Sequence, residues 1–380
     1  MKTTAGAYIA RLDHLRFVAA FMVFHWHFSL FNSLSRTEVP TFWPLSVLRE
    51  GHTGVAFFMV ISGYIFSKIS IGHTVNYRAF IRNRLFRIVP LFAVWVTLYF
   101  YVGKLDPFKL IAAILFFLNP TEVPANGWSV IIEFQCYLML PFLVLFVNRY
   151  GVRYLAGLLL LSILLKATVW LQQGTVQSIS YSTIFGRVDQ FLCGMIAARL
   201  GERAMAGKWW RLLRWLLAPL AVLGLAYLYH RFHVMGGYFD GNAGGNSTRA
   251  LWIVLPALEG LLYGTLIVGY VNLPLPIPRP LDVMLAKLGE VSFSLYLCHA
   301  FLLISVTRFL VDRLDVTIAS HADALLYGSL VVLPVCLAFA FLTYHLIEKP
   351  FLRMRRPYLE KIAGDDTAHT SPPVAAGTLA

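Results

Sequence analysis

Long uninterrupted apolar runs constrain this chain more than any other feature of its sequence. Most of them span about 18 to 22 residues, the length of helix that crosses a hydrocarbon core about 30 Å thick. Outer-membrane barrels instead show short segments of alternating polarity. The runs therefore predict an all-α integral membrane protein, a bundle of about ten transmembrane helices. The predicted spans are 14–32, 53–70, 88–103, 128–147, 153–172, 181–199, 212–230, 251–271, 291–310 and 325–346.

The composition supports this class. Hydrophobic residues make up 58% of the chain and charged residues 13%, whereas a soluble domain of 380 residues needs more charge to cover its surface. A shorter apolar stretch, 108–118, is about half a crossing long and lies between Pro107 and Asn119-Pro120. We expect it to be a re-entrant or interfacial segment.

The distribution of basic residues predicts the orientation of the bundle. With the N-terminus in the cytoplasm, 22 of the 32 Lys and Arg residues fall on the cytoplasmic side and 8 on the other. This positive-inside bias predicts that both termini are cytoplasmic. Basic residues in cytoplasmic loops, which contact anionic phospholipids, also explain the net charge of +13. No nucleic-acid partner is therefore expected. We expect one membrane domain, 1–356, and a polar, disordered tail, 357–380.

Two ionisable residues of the first span are candidates for function because charge is costly inside a bilayer. Arg16 and His27 are eleven residues apart. At about 100° per residue this is close to three full turns, so both lie on one face, about 16 Å apart along the helix axis. His25 points to the opposite side. The spacing therefore favours a functional role for His27 and a hydrogen bond to an adjacent helix for His25.

Two further groups of polar residues lie at predicted membrane depth or at its edge. Arg84 and Arg87, with Arg82 nearby, put guanidinium groups on one face of a helix entering the membrane, an arrangement suited to phosphates. A basic cytoplasmic loop has the same pattern for topological reasons alone. Glu133 and Tyr137 are one turn apart inside an otherwise apolar helix. More ionisable residues in or near the spans suggest a polar cavity through the bundle: Arg187, Asp189, Glu259, His299 and Glu348.

Taken together and in order, these motifs resemble the acyltransferase-3 family, whose members acylate sugars and related acceptors in bacteria. The resemblance covers about residues 11–352. It rests on Arg16-x10-His27; Gly54-Val55-x-Phe57-Phe58-x-x-x-Ser62-Gly63-Tyr64; Arg84-x-x-Arg87-Ile88-x-Pro90; Trp128-Ser129-x-x-x-Glu133-x-x-x-Tyr137, in which Val130 replaces the usual Leu; Ser292-Phe-Ser294-Leu-Tyr296-Leu-x-His299; and Glu348-Lys349-Pro350.

The resemblance implies transfer of an acyl group, commonly acetyl, from cytoplasmic acyl-CoA to a hydroxyl of a glycan in the bacterial inner membrane. Acyl-CoA would be a substrate, and no bound cofactor or metal is expected, since neither the histidines nor the four cysteines show metal-ligand spacing. A transporter or flippase that uses the buried charges as a substrate or proton path is the alternative.

Acyl transfer to a hydroxyl needs a base near the attacking oxygen and donors near the developing oxyanion. We predict His27 as the general base, with an acyl-histidine intermediate as a variant. Glu133 would orient His27 or act as the base itself. Arg84 and Arg87, helped by Arg82, would bind the CoA phosphates. Arg16 would contact the pantetheine or pyrophosphate, or polarise the thioester carbonyl.

Overall fold

The computed structural model describes residues 8–32, 43–102, 127–240, 246–314, 318 and 320–361. Within these ranges the chain is almost entirely helical. The helices are α1 Ala10–Phe31, α2 Ser46–Arg49, α3 Gly54–Ile69, α4 Tyr77–Val102, α5 Gly127–Tyr150, α6 Val152–Gln173, α7 Gln177–Ser182, α8 Ile184–Met205, α9 Trp210–Val234, α10 Leu251–Asn272, α11 Arg279–Glu290, α12 Ser292–Leu314 and the composite α13 His321–Leu352, and two short strands are β1 His73–Val75 and β2 Leu359–Lys361.

Each of the ten predicted spans falls on one of the long helices, so the all-α membrane fold is confirmed. Eight helical segments of the described chain are long and apolar enough to cross a membrane. The two other long helices, α1 and α8, carry several charged residues, including Asp13 and Asp189. About half of the residues in α1 and α8 are buried against neighbouring helices. Helices on the inside of a bundle need no lipid-facing apolar surface, so they tolerate these charges.

Close packing of α3 on α8 forms the centre of the bundle. A Cβ atom on Gly63 would lie 2.1 Å from the carbonyl oxygen of Phe191, and one on Gly194 would lie 2.1 Å from that of Val60. Glycine on both helices thus lets the two backbones touch, as small residues do at membrane helix interfaces. The contact fixes the position of Ser62, the residue before Gly63.

Two helical features differ from the prediction. Helix α4 begins at Tyr77 rather than at 88, because its arginine-rich stretch continues the helix outside the apolar run; Pro90 lies within it. Helix α11 was not predicted, because its sequence is amphipathic and too polar for a span. It packs on α1, where His14 Nε2 lies 3.0 Å from the carbonyl oxygen of Asp282. The predicted re-entrant segment 108–118 lies outside the described residues.

The chain after α13 returns to the bundle. Strand β2 pairs antiparallel with β1, which joins α3 to α4. Tyr358 is buried, and its ring centre lies 5.3 Å from that of Phe80. The side-chain amide of Asn83 donates to the backbone carbonyl of Arg356 and accepts from its N–H. The expectation of disorder from residue 357 is therefore wrong for residues 357–361, because backbone pairing and an apolar anchor hold them. Residues 362–380 lie outside the described chain.

Several of the charged residues in the predicted spans are paired with residues of neighbouring helices. Lys166 of α6 and Asp189 of α8 form an ion pair with almost no exposure to solvent. Glu259 of α10 accepts hydrogen bonds from Thr53, at 2.8 Å, and from Gln190, at 2.6 Å. Buried charges that are paired in this way connect helices. These charged residues therefore do not line the polar cavity that the sequence predicted from them.

Candidate active site

A cavity of about 100 Å³ lies between α1, α3, α4, α5 and α12. It gathers side chains from five of the six sequence motifs, although these motifs are spread over almost the whole chain. Apolar side chains such as Phe58 and Phe293 form the rest of its wall. Its polar lining consists of Arg16, Ser62, Arg84, Arg87, Ser129, Glu133, Tyr137, Ser292 and Tyr296.

Glu133 is held in the cavity wall by two hydroxyl groups. Ser62 Oγ donates to Glu133 Oε1 at 2.7 Å, and the hydroxyl of Tyr137 donates to the same oxygen. These are the hydrogen-bond partners of Glu133 in the described part of the chain, and His27 is not among them. The described residues show no contact between Glu133 and His27, and a role for Glu133 in orienting His27 or as the base itself stays a prediction. Its carboxylate instead joins α3 to α5 inside the cavity.

Arg84 enters the cavity from α4 within a cage of aromatic rings. Its guanidinium carbon lies 4.9 Å from the ring centre of Phe66, 5.4 Å from that of Phe80 and 5.7 Å from that of Tyr137. No acidic side chain of the described residues pairs with it, and its Nε is buried without a hydrogen-bond partner. Cation–π contacts hold such a side chain in place but leave its N–H groups available.

Arg87, one turn further along α4, is in a different environment. Its Nη1 lies 3.0 Å from Glu348 Oε2, and Glu348 is buried and also accepts from the hydroxyl of Ser294. Arg87 therefore joins α4 to α13 while its guanidinium still lines the cavity. Arg82, the third predicted arginine, does not line the cavity and lies over the ring of Phe86 at 6.0 Å.

A fourth arginine, Arg355, was missed in the sequence. It lies in the segment that leads to β2, close enough to Arg87 and Arg84 that burial and these two charges lower its pKa to about 10. Burial raises the pKa of the neighbouring Tyr358. Arg355 belongs to a run of basic residues after Glu348. The positive-inside rule predicts such a run next to any span, so it does not indicate a binding residue. Only the return of the chain to α4 brings Arg355 to the cavity arginines.

Arg16 lines the cavity and pairs with Asp13 at 2.6 Å. His27 lies on the same helix, three turns further on. His25 is buried on the other side of α1, where its Nε2 lies 3.0 Å from Ser329 Oγ. The helical-face prediction, that His25 hydrogen-bonds a neighbouring helix, is confirmed.

His27 is in contact with His299 of α12. His299 Nε2 lies 3.3 Å from His27 Nδ1, and the ring centres are 5.0 Å apart. His299 is buried, and its own Nδ1 lies 2.7 Å from the carbonyl oxygen of Tyr296. The side chain of Tyr296 reaches the cavity wall, where its hydroxyl lies 2.6 Å from Ser129 Oγ. His27 and His299 do not line the cavity, and Tyr296 connects the two places: its hydroxyl is in the cavity wall and its backbone carbonyl contacts His299.

Tyr64, Trp128 and Arg187 lie outside the cavity lining, as His27, His299 and Glu348 do. Tyr64 is buried between helices on the side of α3 away from Ser62. Trp128 is half-buried, and the guanidinium of Arg187 lies 5.5 Å from its ring centre. Arg187 is itself buried and donates from Nε to the carbonyl oxygen of Tyr181 at 2.8 Å. None of these three side chains lines the cavity.

The cavity, with Arg84 in its wall, and the histidine pair both lie among the long apolar helices of the bundle. A family model described as an acyltransferase domain matches residues 9–345. Because this match spans most of the 380 residues, the chain belongs to the acyltransferase-3 family and is a membrane acyltransferase. Comparison with curated proteins and with solved structures gave no significant match.

Proposed function

We propose that this membrane acyltransferase moves an acyl group, most readily acetyl, from acyl-CoA on the cytoplasmic side to a hydroxyl of a cell-envelope or exported glycan. The observation that carries the proposal is the cavity itself. It brings the arginines of α4 together with Arg16 of α1, the helix that also carries His27, and a donor with a phosphate end and a reactive thioester end would need both.

The donor end of the proposal rests on Arg84. Its guanidinium is oriented by three rings and has no acidic partner in the described chain. A phosphate group would satisfy its N–H groups through charge-assisted hydrogen bonds. Arg87 and Arg355 add positive charge at the same place. The phosphates of CoA would bind here, and the pantetheine arm would enter the cavity past Arg16.

The reactive end of the proposal rests on distance along α1. Arg16 lines the cavity, and His27 lies about 16 Å further along the helix. An extended pantetheine arm covers a distance of this order. Cytoplasmic acyl-CoA could therefore serve an acceptor near the other face of the membrane without crossing it.

In the proposed reaction His27 Nε2 takes the proton of the acceptor hydroxyl as its oxygen bonds to the thioester carbonyl carbon. The carbonyl π electrons move to oxygen, and a nearby N–H or O–H donor stabilises the charge. The tetrahedral intermediate then collapses, the C–S bond breaks, and the proton held by His27 passes to the sulfur. The products are the O-acyl glycan and free CoA. In the variant reaction His27 Nε2 itself attacks the thioester, and the acyl-histidine is then transferred.

Purified protein in proteoliposomes tests the proposal. The donors would be [¹⁴C]acetyl-CoA and, for comparison, palmitoyl-CoA, with the cell-envelope glycan fraction of the native host as acceptor. We expect thiol release that depends on the glycan, and label in the glycan that mild alkali removes as an ester would be removed. Acetyl-CoA that is consumed without label in glycan would overturn the acceptor class. Uptake of intact donor or glycan without thiol release would favour the transporter alternative.

A further inference from the structure

His299 is the buried residue closest to the predicted base whose role the sequence leaves undefined. It lies on α12, whereas His27 lies on α1, so the contact between them exists only in the folded bundle. The hydrogen-bond geometry of both rings determines which nitrogen of each carries a hydrogen. That assignment follows from the carbonyl groups around them, since a carbonyl oxygen only accepts.

The backbone of α12 determines the tautomer of His299. Its Nδ1 lies 2.7 Å from the carbonyl oxygen of Tyr296 and 3.2 Å from that of Leu295. Because both neighbours are acceptors, Nδ1 must carry the hydrogen. Nε2 of the neutral ring then holds a lone pair, and it is this atom that faces His27 at 3.3 Å.

The backbone of α1 has the same effect on His27. Its Nδ1 lies 2.9 Å from the carbonyl oxygen of Val23, so this nitrogen carries the hydrogen and shares it between Val23 and His299 Nε2. The lone pair of His27 is thereby placed on Nε2. The two assignments agree with each other: one ring donates across the contact and the other accepts.

We propose that His299 is a positioning residue for acyl transfer: its Nε2 accepts the Nδ1–H of His27, fixes the ring and its tautomer, and leaves the lone pair of His27 on Nε2 to take the acceptor's proton. This inference rests on the proposed function. A buried carboxylate does the same for histidine in the Ser-His-Asp arrangement. When His27 becomes an imidazolium, its Nδ1–H is still directed at an acceptor, so no buried donor is left without a partner.

His299 is connected to the cavity wall through Tyr296, three residues earlier on α12. The carbonyl group that orients it belongs to Tyr296, whose hydroxyl meets Ser129 in the cavity wall. A shift of α12 would therefore move the cavity wall and the histidine pair together. The motif Ser292-Phe-Ser294-Leu-Tyr296-Leu-x-His299 thus supplies both the cavity lining and the group that holds the base.

Two substitutions of His299 by amide side chains distinguish the positioning of His27 from a role in packing alone. In His299→Gln the longer side chain places an amide oxygen near the position of Nε2, within reach of His27. In His299→Asn the shorter side chain keeps a donor for the Tyr296 carbonyl but does not reach His27. Both variants are polar and smaller than histidine, but asparagine leaves the larger gap at this buried position, so the melting temperature of each variant is measured beside its kcat. His25→Asn is the matched control, because it removes a buried first-span histidine that contacts another helix.

The assay is transfer from [¹⁴C]acetyl-CoA to the host glycan fraction, with folded protein quantified by size-exclusion chromatography. We expect His299→Asn to lower kcat about 100-fold with the KM for acetyl-CoA within about twofold of wild type, since positioned general bases contribute factors of this size. His299→Gln should recover about tenfold of that loss, and His25→Asn should stay near wild type. Equal kcat for the Gln and Asn variants, or a loss seen only in KM, would overturn the inference. Wild-type protein that transfers no label to the glycan would instead refute the proposed function, whatever the His299 variants do.

Discussion

Arg84 and Arg87 lie one turn apart on α4, yet their surroundings differ. Arg87 has a buried carboxylate beside it, whereas Arg84 has aromatic rings and no acidic partner among the residues that the structure describes. A guanidinium without an acidic partner is the better phosphate ligand, because binding does not first break an ion pair. Arg84 is therefore the residue at which donor binding is best tested.

We predict that Arg84→Gln raises the KM for acetyl-CoA about 10- to 100-fold, the effect of losing one or two hydrogen bonds to a charged group. The KM for S-acetylpantetheine, which lacks the nucleotide phosphates, should not change. Steady-state kinetics with both donors measures this difference. Arg78→Gln, an exposed arginine on the same helix, is the control. An equal rise in KM for both donors would remove Arg84 from phosphate binding.

At the scale of single residues, the sequence predicted which side chains share a helix face but not which residues of other helices they contact. The spacing of Arg16, His25 and His27 on one helix was enough to separate the two histidines, because helical geometry is local. The partner of His27 could not be found in this way. His299 lies on another helix, and no local rule relates α1 to α12. Glu133, the partner expected from its charge, is instead bonded to Ser62 and Tyr137.

Contacts between helices keep the cavity in shape, and two of them can be tested by substitution. The first is the glycine contact between α3 and α8. A methyl group on Gly63 would collide with the backbone of Phe191. We predict that Gly63→Ala destabilises the fold by about 1–3 kcal/mol, the usual cost of overpacking, and lowers the melting temperature in detergent.

Gly157 of α6 is the matched control for this substitution. Its position is also helical, but a Cβ atom there meets no other atom within 4 Å. Gly157→Ala should therefore leave the melting temperature unchanged or raise it slightly, because alanine favours helix over glycine. If the two variants melt at the same temperature, the close approach of α3 and α8 is wrong.

The second contact is the ion pair between Arg87 of α4 and Glu348 of α13. Arg87→Met leaves Glu348 buried and without its cation, which costs about 3–5 kcal/mol for a buried pair. We predict that the double variant Arg87→Met with Glu348→Gln is more stable than Arg87→Met alone. Thermal unfolding of the single and double variants measures the coupling. Strictly additive losses would show that the two side chains do not interact.

At the scale of the whole molecule, the pairing of β1 with β2 constrains the topology. Both strands lie at one end of the bundle, the end at which Asn148 of α5 also hydrogen-bonds the carbonyl of His73. Eight long helices of the described chain lie between the two strands, an even number. This agrees with the predicted arrangement, in which α3 and α13 end on the same side of the membrane.

Cysteine labelling tests which side this is. The four native cysteines are buried, so introduced thiols can be observed with little background. Gln173→Cys, at the end of α6, and Lys208→Cys, between α8 and α9, are both exposed positions. We predict that an impermeant maleimide labels the Gln173→Cys variant in intact spheroplasts and the Lys208→Cys variant only after permeabilisation. The reverse pattern would invert the predicted orientation and place the arginines outside.

The number and order of the long helices could be predicted, because membrane thickness sets their length and polarity, but their ends could not: α4 begins at Tyr77 rather than at 88. The elements that were missed are α2, α7, α11, β1 and β2. All are shorter than a span, so no long apolar run marks them. The cavity could be expected from buried charges but not located. Whether a charge such as Asp189 lines a cavity or pairs with Lys166 depends on which helices are neighbours.

Activity of His27→Ala beside His25→Ala decides whether His27 performs the chemistry. The two residues share a helix and differ in direction: one meets His299 and the other Ser329. With equal amounts of folded protein, we predict that His27→Ala lowers acetyl transfer by about 100- to 10,000-fold, the range of general base catalysis, while His25→Ala stays within a few-fold of wild type. Full activity of His27→Ala, or an equal loss in both variants, would contradict the assignment of His27 as the base.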